Sequence, residues 1–225
     1  MNSISRRSFL KSGAALAGAV SLSGWEGAAP RAAEAAESGF LQTSCGAENL
    51  AGKKVLVAYA SMHGSTGEVA QAIGKVLCAA GASVDIRLVK SVKDMRPYQA
   101  VVIGGAVRSD RWLPEAKEFV AGNRAFLSIV PTAYFLTCLT LFRPTEENQK
   151  MAQSFLDPVR EEVPEVRPFS TGLFAGVLDL NRYSAAIATV MRYKMWANDI
   201  EEGDYRDWNS IRVWADQLRP AILAV

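Results

Sequence analysis

The chain has 225 residues, 49% of them hydrophobic, enough for a sizeable core and too many for a disordered chain. Its net charge of +2 resides in the first 35 residues; beyond them 21 basic and 21 acidic residues balance, with no basic cluster to suit nucleic acid. Cys45, Cys78 and Cys138 are widely spaced and His63 is the only histidine, so no zinc-site spacing occurs.

The N-terminus reads Ser5-Arg6-Arg7-Ser8-Phe9-Leu10-Lys11, followed by a mild apolar stretch from Gly13 to Trp25 and an Ala-rich region with Ala33-Glu34-Ala35. The first run resembles the twin-arginine export signal at every motif position. The resemblance implies residues 1–35 as a removable signal peptide handled by the twin-arginine machinery, and a periplasmic or other extracytoplasmic destination. That route moves folded proteins, often with a cofactor already acquired. The apolar stretch is too short and weak for a permanent membrane anchor. Cys45 lacks a lipoprotein context, because Gln42 stands where leucine is expected. Export would permit one disulfide, with at least one thiol left unpaired.

Residues 36–52, small and polar, read as a linker, and 53–225 as one domain. Lys54–Ala60 is a short apolar run, as expected of a strand buried on both faces. From Gly67, Val69, Ala70, Ile73, Val76 and Leu77 recur at helical spacing until Gly81. Ser83–Val89 predicts a second strand, Gln99–Gly104 a third, Pro114–Gly122 a helix, and Pro131–Cys138 a fourth strand. Glu146–Glu162 predicts a helix, and Val166–Asp179 contains the fifth strand. Ser184–Trp196 is an amphipathic segment with Ile187, Val190, Met191 and Met195 on one face, read as packing on the sheet edge in preference to a membrane or quinone-proximal element. Tyr205–Leu223 predicts the closing helix. This alternation predicts an α/β three-layer sandwich: a five-stranded parallel sheet of order 2-1-3-4-5 with helices on both faces.

Ligands of such a sheet bind outside the carboxyl ends of its strands, at the switch point between the first and third. Three loops converge there. Ser61-Met62-His63-Gly64-Ser65-Thr66 joins a strand to a helix N-terminus, with hydroxyls from Ser61, Ser65 and Thr66, room at Gly64, and free first-turn amides to cradle an anion. Neither GxxxxGK[ST] nor GxGxxG occurs, which disfavours a nucleotide triphosphate or a dinucleotide. The second loop carries Gly105, Ala106, Val107, Arg108 and Trp112. Its Gly104-Gly105 pair would admit a planar ring, Trp112 would stack on that ring, and Arg108 would stabilise an anionic reduced state. The third carries Thr137, Cys138 and Leu139, with Cys138 read as a buried structural thiol.

Val57-Ala58-Tyr59-Ala60-Ser61-Met62-His63-Gly64-Ser65-Thr66 with Val69-Ala70 resembles the phosphate loop of flavodoxins, which implies a flavodoxin-like fold and FMN held by Ser61–Thr66. Flavodoxins often place a tyrosine in the third loop, where this chain has Leu139 and Thr140. From Lys54 onward the chain is similar to the menaquinone-dependent protoporphyrinogen oxidase branch of that group. The carrying segments are Val101–Arg108, Phe174–Leu178, Arg182-Tyr183, Tyr193-Lys194-Met195 and Asp204–Trp208. The resemblance implies an FMN oxidoreductase passing electrons from an unidentified donor to a quinone or other acceptor. An exported electron-carrying flavodoxin and a flavin-free binding scaffold are the alternatives. No catalytic acid or base is identified.

Overall fold

The computed structural model describes residues 40–46 and 53–223. The twin-arginine motif, the Ala33-Glu34-Ala35 site and much of the expected linker lie outside the described residues. The central sheet contains β1 (Thr43–Cys45), β2 (Lys54–Ala60), β3 (Ser83–Leu88), β4 (Ala100–Arg108), β6 (Thr132–Cys138) and β7 (Ser170–Ala175), in the order β1-β3-β2-β4-β6-β7. From β3 to β7 every pairing is parallel. β3, β2, β4, β6 and β7 therefore stand in the order 2-1-3-4-5 expected of the five predicted strands.

Three features enlarge that plan. The segment read as linker supplies β1, which pairs antiparallel with the edge strand β3. It is held by side chains: Ser44 Oγ donates to Asp85 Oδ1 at 2.5 Å, and Arg87 Nη1 donates to the Thr43 carbonyl at 2.8 Å. A short strand β5 (Arg111–Trp112) folds back antiparallel on the end of β4. Ser109 and Asp110 between them both have positive φ (50° and 57°), the requirement of a two-residue I′-type hairpin turn. Finally β8 (Val177–Leu178) and β9 (Gly203–Asp204) form a separate two-stranded ribbon.

Helix α1 (Ser65–Ala79) follows β2, burying Val69, Ala70, Ile73 and Leu77 on one stripe, as their spacing requires. Helix α2 (Pro114–Gly122) starts with proline in its first turn and is followed by the short α3 (Arg124–Leu127). The expected helix over 146–162 is two, α4 (Glu146–Ser154) and α5 (Asp157–Glu162). Pro158 explains the break: it sits in the first turn of α5 and cannot serve the interior of a longer helix. Helix α6 (Ala185–Asn198) precedes β9, and the closing helix is likewise divided, α7 (Trp208–Gln217) and α8 (Arg219–Leu223), with Pro220 in the first turn of the second.

The sheet has a core on each face. Leu56, Ile103, Tyr134, Leu136, Val120 and Leu156 fill one side; Val57, Ile73, Ile86, Phe135, Ile211 and Trp214 fill the other. A smaller cluster of Leu178, Leu180 and Ala188 lies under α6, joined by Met191 and Met195. This corrects the expected apolar face of that helix, because Ile187 and Val190 are exposed. Among the described residues no helix is long and apolar enough to cross a membrane.

Candidate cofactor site

The carboxyl ends of β2, β4 and β6 meet as the strand order predicts, and the three loops surround one cavity. Ser61, Met62, His63 and Ser65 line it from the first loop, Ala106 and Val107 from β4, and Thr137, Cys138 and Leu139 from β6 and its exit.

In the first loop, Ser61 Oγ accepts from the Gly64 amide at 2.9 Å and tightens the turn. Gly64 has φ 89°, and a Cβ there would meet nothing within 4 Å. Glycine therefore serves the left-handed backbone, not the crowding expected of it. The bonds of α1 begin with the Gly67 amide to the Gly64 carbonyl at 2.8 Å, so the Ser65 and Thr66 amides have no partner within the helix. These two donors, at the positive end of a 15-residue helix, suit a phosphate group. At Thr66 the hydroxyl expected in the cradle is engaged with β6. The side chain is fully buried, with Oγ1 2.8 Å from Thr137 Oγ1, tying the first loop to β6.

The second loop is also corrected. Trp112 is 4% exposed and its ring lies in the core, tilted on Tyr134 with centroids 5.3 Å apart. It lines a different hollow and is no wall of this cavity. Gly105 serves the indole: a Cβ at 105 would stand 2.5 Å from Trp112 Nε1. Arg108 is exposed at the end of β4 and is likewise absent from the cavity lining. Cys138 is buried, and burial raises its thiol above the ordinary range, as suits a structural thiol.

The fourth wall comes from the stretch after β7: Gly176, Val177, Asp179, Arg182 and Tyr183. Of these, only Arg182-Tyr183 and Gly176-Val177 carried a signal in the sequence, as pieces of the family resemblance, and nothing local tied them to the site. The Tyr183 ring packs edge-on against His63, centroids 4.7 Å apart at 60°. Arg182 Nη1 donates to the His63 carbonyl, and Arg182 Nε donates to Asp179 Oδ2 at 3.0 Å. Burial first, then the Arg182 charge, pulls the His63 imidazole below its ordinary pKa. Its Nε2 is buried without a hydrogen-bond partner.

A phosphorylated flavin fits the residues present. The Ser65 and Thr66 amides suit its phosphate, His63 Nε2 offers an unclaimed polar atom, and Ala106, Val107, Leu139 and Tyr183 border an apolar slot. The cavity encloses about 80 Å³, below the ~300–1,000 Å³ of ordinary small-molecule pockets.

Residues 56–204 match the Flavodoxin domain family, and residues 3–23 match the twin-arginine translocation pathway signal sequence. The chain belongs to the flavodoxin-domain family and carries a twin-arginine signal. It is 25% identical over 175 residues to protoporphyrinogen IX dehydrogenase (quinone) of Escherichia coli, covering 73% of this chain and 94% of that protein. Among solved structures, a short-chain flavodoxin associated with a non-canonical PDU bacterial microcompartment aligns over 74% of this chain and 96% of its own, with 12% identity and TM-score 0.46. A flavodoxin of Streptococcus pneumonia aligns over 73% and 97%, with 16% identity and TM-score 0.44.

Proposed function

We propose that this chain is an exported FMN-dependent oxidoreductase, which passes two electrons from an organic donor to a quinone or similar acceptor outside the cytoplasm. The observation that carries the reading is the unclaimed pair of amides at Ser65 and Thr66, set at the switch point between β2 and β4 and facing a slot with apolar sides. The flavodoxin-domain membership and the quinone-linked relative support it. The twin-arginine signal supports export of the folded protein.

FMN supplies reversible two-electron chemistry at its ring when bound. The chain's part is to hold and shield. The first turn of α1 would hold the phosphate. Arg182 fixes the loop backbone at His63, and neutral His63 offers Nε2 as a hydrogen-bond partner in the slot. Leu139 and Tyr183 exclude water from the ring, and Leu139 leaves one face less covered than a tyrosine would. A donor that loses two electrons and two protons is balanced by a quinone taken to its quinol. An electron-carrying flavodoxin would need two aromatic walls, whereas Trp112 is in the core and, among the described residues, Tyr183 is the one Phe, Tyr or Trp that lines the slot.

The test is the visible spectrum of the leader-free protein, then anaerobic photoreduction and reoxidation by a soluble quinone. Flavin bands, direct two-electron bleaching and rapid reoxidation by the quinone are expected. A protein with no flavin that also takes up none contradicts the cofactor; reduction that halts at a one-electron stage contradicts the enzyme.

A further inference from the structure

The segment that enters the domain, residues 40–46, is fastened to the sheet along its length. Phe40 packs against the core on the α1 face, and the Leu41 carbonyl accepts from Tyr59 Oη at 2.7 Å. β1 then pairs with β3 from Thr43 to Cys45, opposite Ile86, Asp85 and Val84. Asp85, the acceptor of Ser44 Oγ, is 8% exposed and also takes Tyr98 Oη at 2.9 Å and Lys54 Nζ at 3.2 Å. Gly46 ends the segment at φ 94°, and a Cβ there would stand 2.7 Å from the Ala82 carbonyl oxygen. A three-residue strand paired on one side gains little from its own ladder, so these contacts hold it in place.

One of them reaches the phosphate loop. Tyr59 stands on β2 two residues before Ser61 and is fully buried. A Cβ at Gly67 would stand 2.8 Å from the Tyr59 ring and its hydroxyl, so the ring lies flush against the helix backbone at that residue. The Gly67 amide makes the first bond of α1, to the Gly64 carbonyl, directly behind the free Ser65 and Thr66 amides. The first turn of α1 therefore seats on Tyr59, and Tyr59 is held by the Leu41 carbonyl. If residues 40–46 come away, a buried hydroxyl loses its acceptor, and the turn loses the fixed support that keeps its two amides aimed at one point.

We propose that residues 40–46 are a clasp on the cofactor site, and that Tyr59 is the positioning residue through which closure of the clasp and binding of FMN favour each other. The inference rests on the flavin reading of that site. Such coupling is reciprocal: the factor by which closure tightens FMN is the factor by which FMN favours closure. The clasp follows the twin-arginine signal in sequence, so a loaded chain differs from an empty one in the segment between its signal and its domain. Cys45 reports the state of the clasp. Its Sγ lies 3.9 Å from the Gly74 carbonyl of α1, and burial pushes the thiol up to about 12, so at neutral pH it reacts when the clasp is open.

The test pulses the reduced full chain with iodoacetamide, with and without saturating FMN, and maps Cys45 apart from Cys78 and Cys138 by peptide mass. FMN affinity is measured on the same samples by flavin fluorescence. Two variants outside the cavity lining break the link at different points: Tyr59→Phe removes one hydroxyl, and Gly46→Val forces the clasp off Ala82. FMN is expected to slow Cys45 modification roughly fivefold in the unaltered chain, and both variants to bind FMN more weakly by a similar factor. In Tyr59→Phe the FMN effect on Cys45 should vanish, which a loss of stability alone would not produce. FMN bound with the Cys45 rate unchanged, or unweakened FMN binding by Tyr59→Phe, overturns the clasp and leaves the flavin reading intact. An unaltered chain that takes up no FMN overturns both.

Discussion

At the scale of single residues, His63 and Thr66 occupy neighbouring places and do different work. His63 is the only histidine, so its imidazole proton resonances titrate without overlap in an NMR spectrum. Burial and Arg182 hold its pKa down, and the midpoint is expected below the ordinary ~6.5. The unfolded chain then binds the proton first as the pH falls. Stability contributed by neutral His63 is present above about 6.5 and is lost as the pH drops through the lower folded value. A midpoint at or above 6.5 would contradict that environment. Thr66→Val strands the Thr137 hydroxyl in the core, at a cost of about 1–3 kcal/mol in urea unfolding. Adding Thr137→Val should recover much of that loss, because both partners then become apolar. A double variant no better than the single one would show that the pair does not act as a unit.

At the scale of elements, the buried strands were legible and their edges were not. Lys54–Ala60 and Thr132–Cys138 are apolar throughout because both faces of a parallel sheet are covered. The segment Thr43–Cys45 is short, polar and paired on one side only, so nothing in its composition distinguishes it from a linker. The turn from β2 into α1 was legible because it is local: a strand, a turn and a helix start within ten residues. Trp112 was misread because nearness in sequence to β4 does not say which face of the hairpin an indole takes. The Tyr183 wall was hidden for another reason, since it is more than a hundred residues from the loop it covers. Arg206 is a further element-scale tie. Its side chain is 6% exposed, bonds Asp204 and Glu68 at 2.7 and 2.9 Å and the Ser65 carbonyl at 3.1 Å, and lies over the Trp208 ring. Arg206→Lys should lower stability by about 2 kcal/mol, because an ammonium cannot span those partners as a planar fork does. It should also weaken FMN through the Ser65 turn. Unchanged unfolding and unchanged flavin affinity would refute this link.

At the scale of the whole molecule, a twin-arginine signal precedes a domain whose sheet order brings three loops to one switch point. The two belong together, since a folded-protein route allows the cofactor to be loaded before export. The amides of Ser65 and Thr66 are expected to recognise the phosphate of the flavin. The measurement that tests this most directly is equilibrium titration of the flavin-free, leader-free chain with FMN and with riboflavin, which lacks the phosphate. Two charge-assisted hydrogen bonds predict FMN binding about a hundredfold or more tighter. Equal affinities, or binding of neither, would contradict the assignment of the Ser61–Thr66 loop.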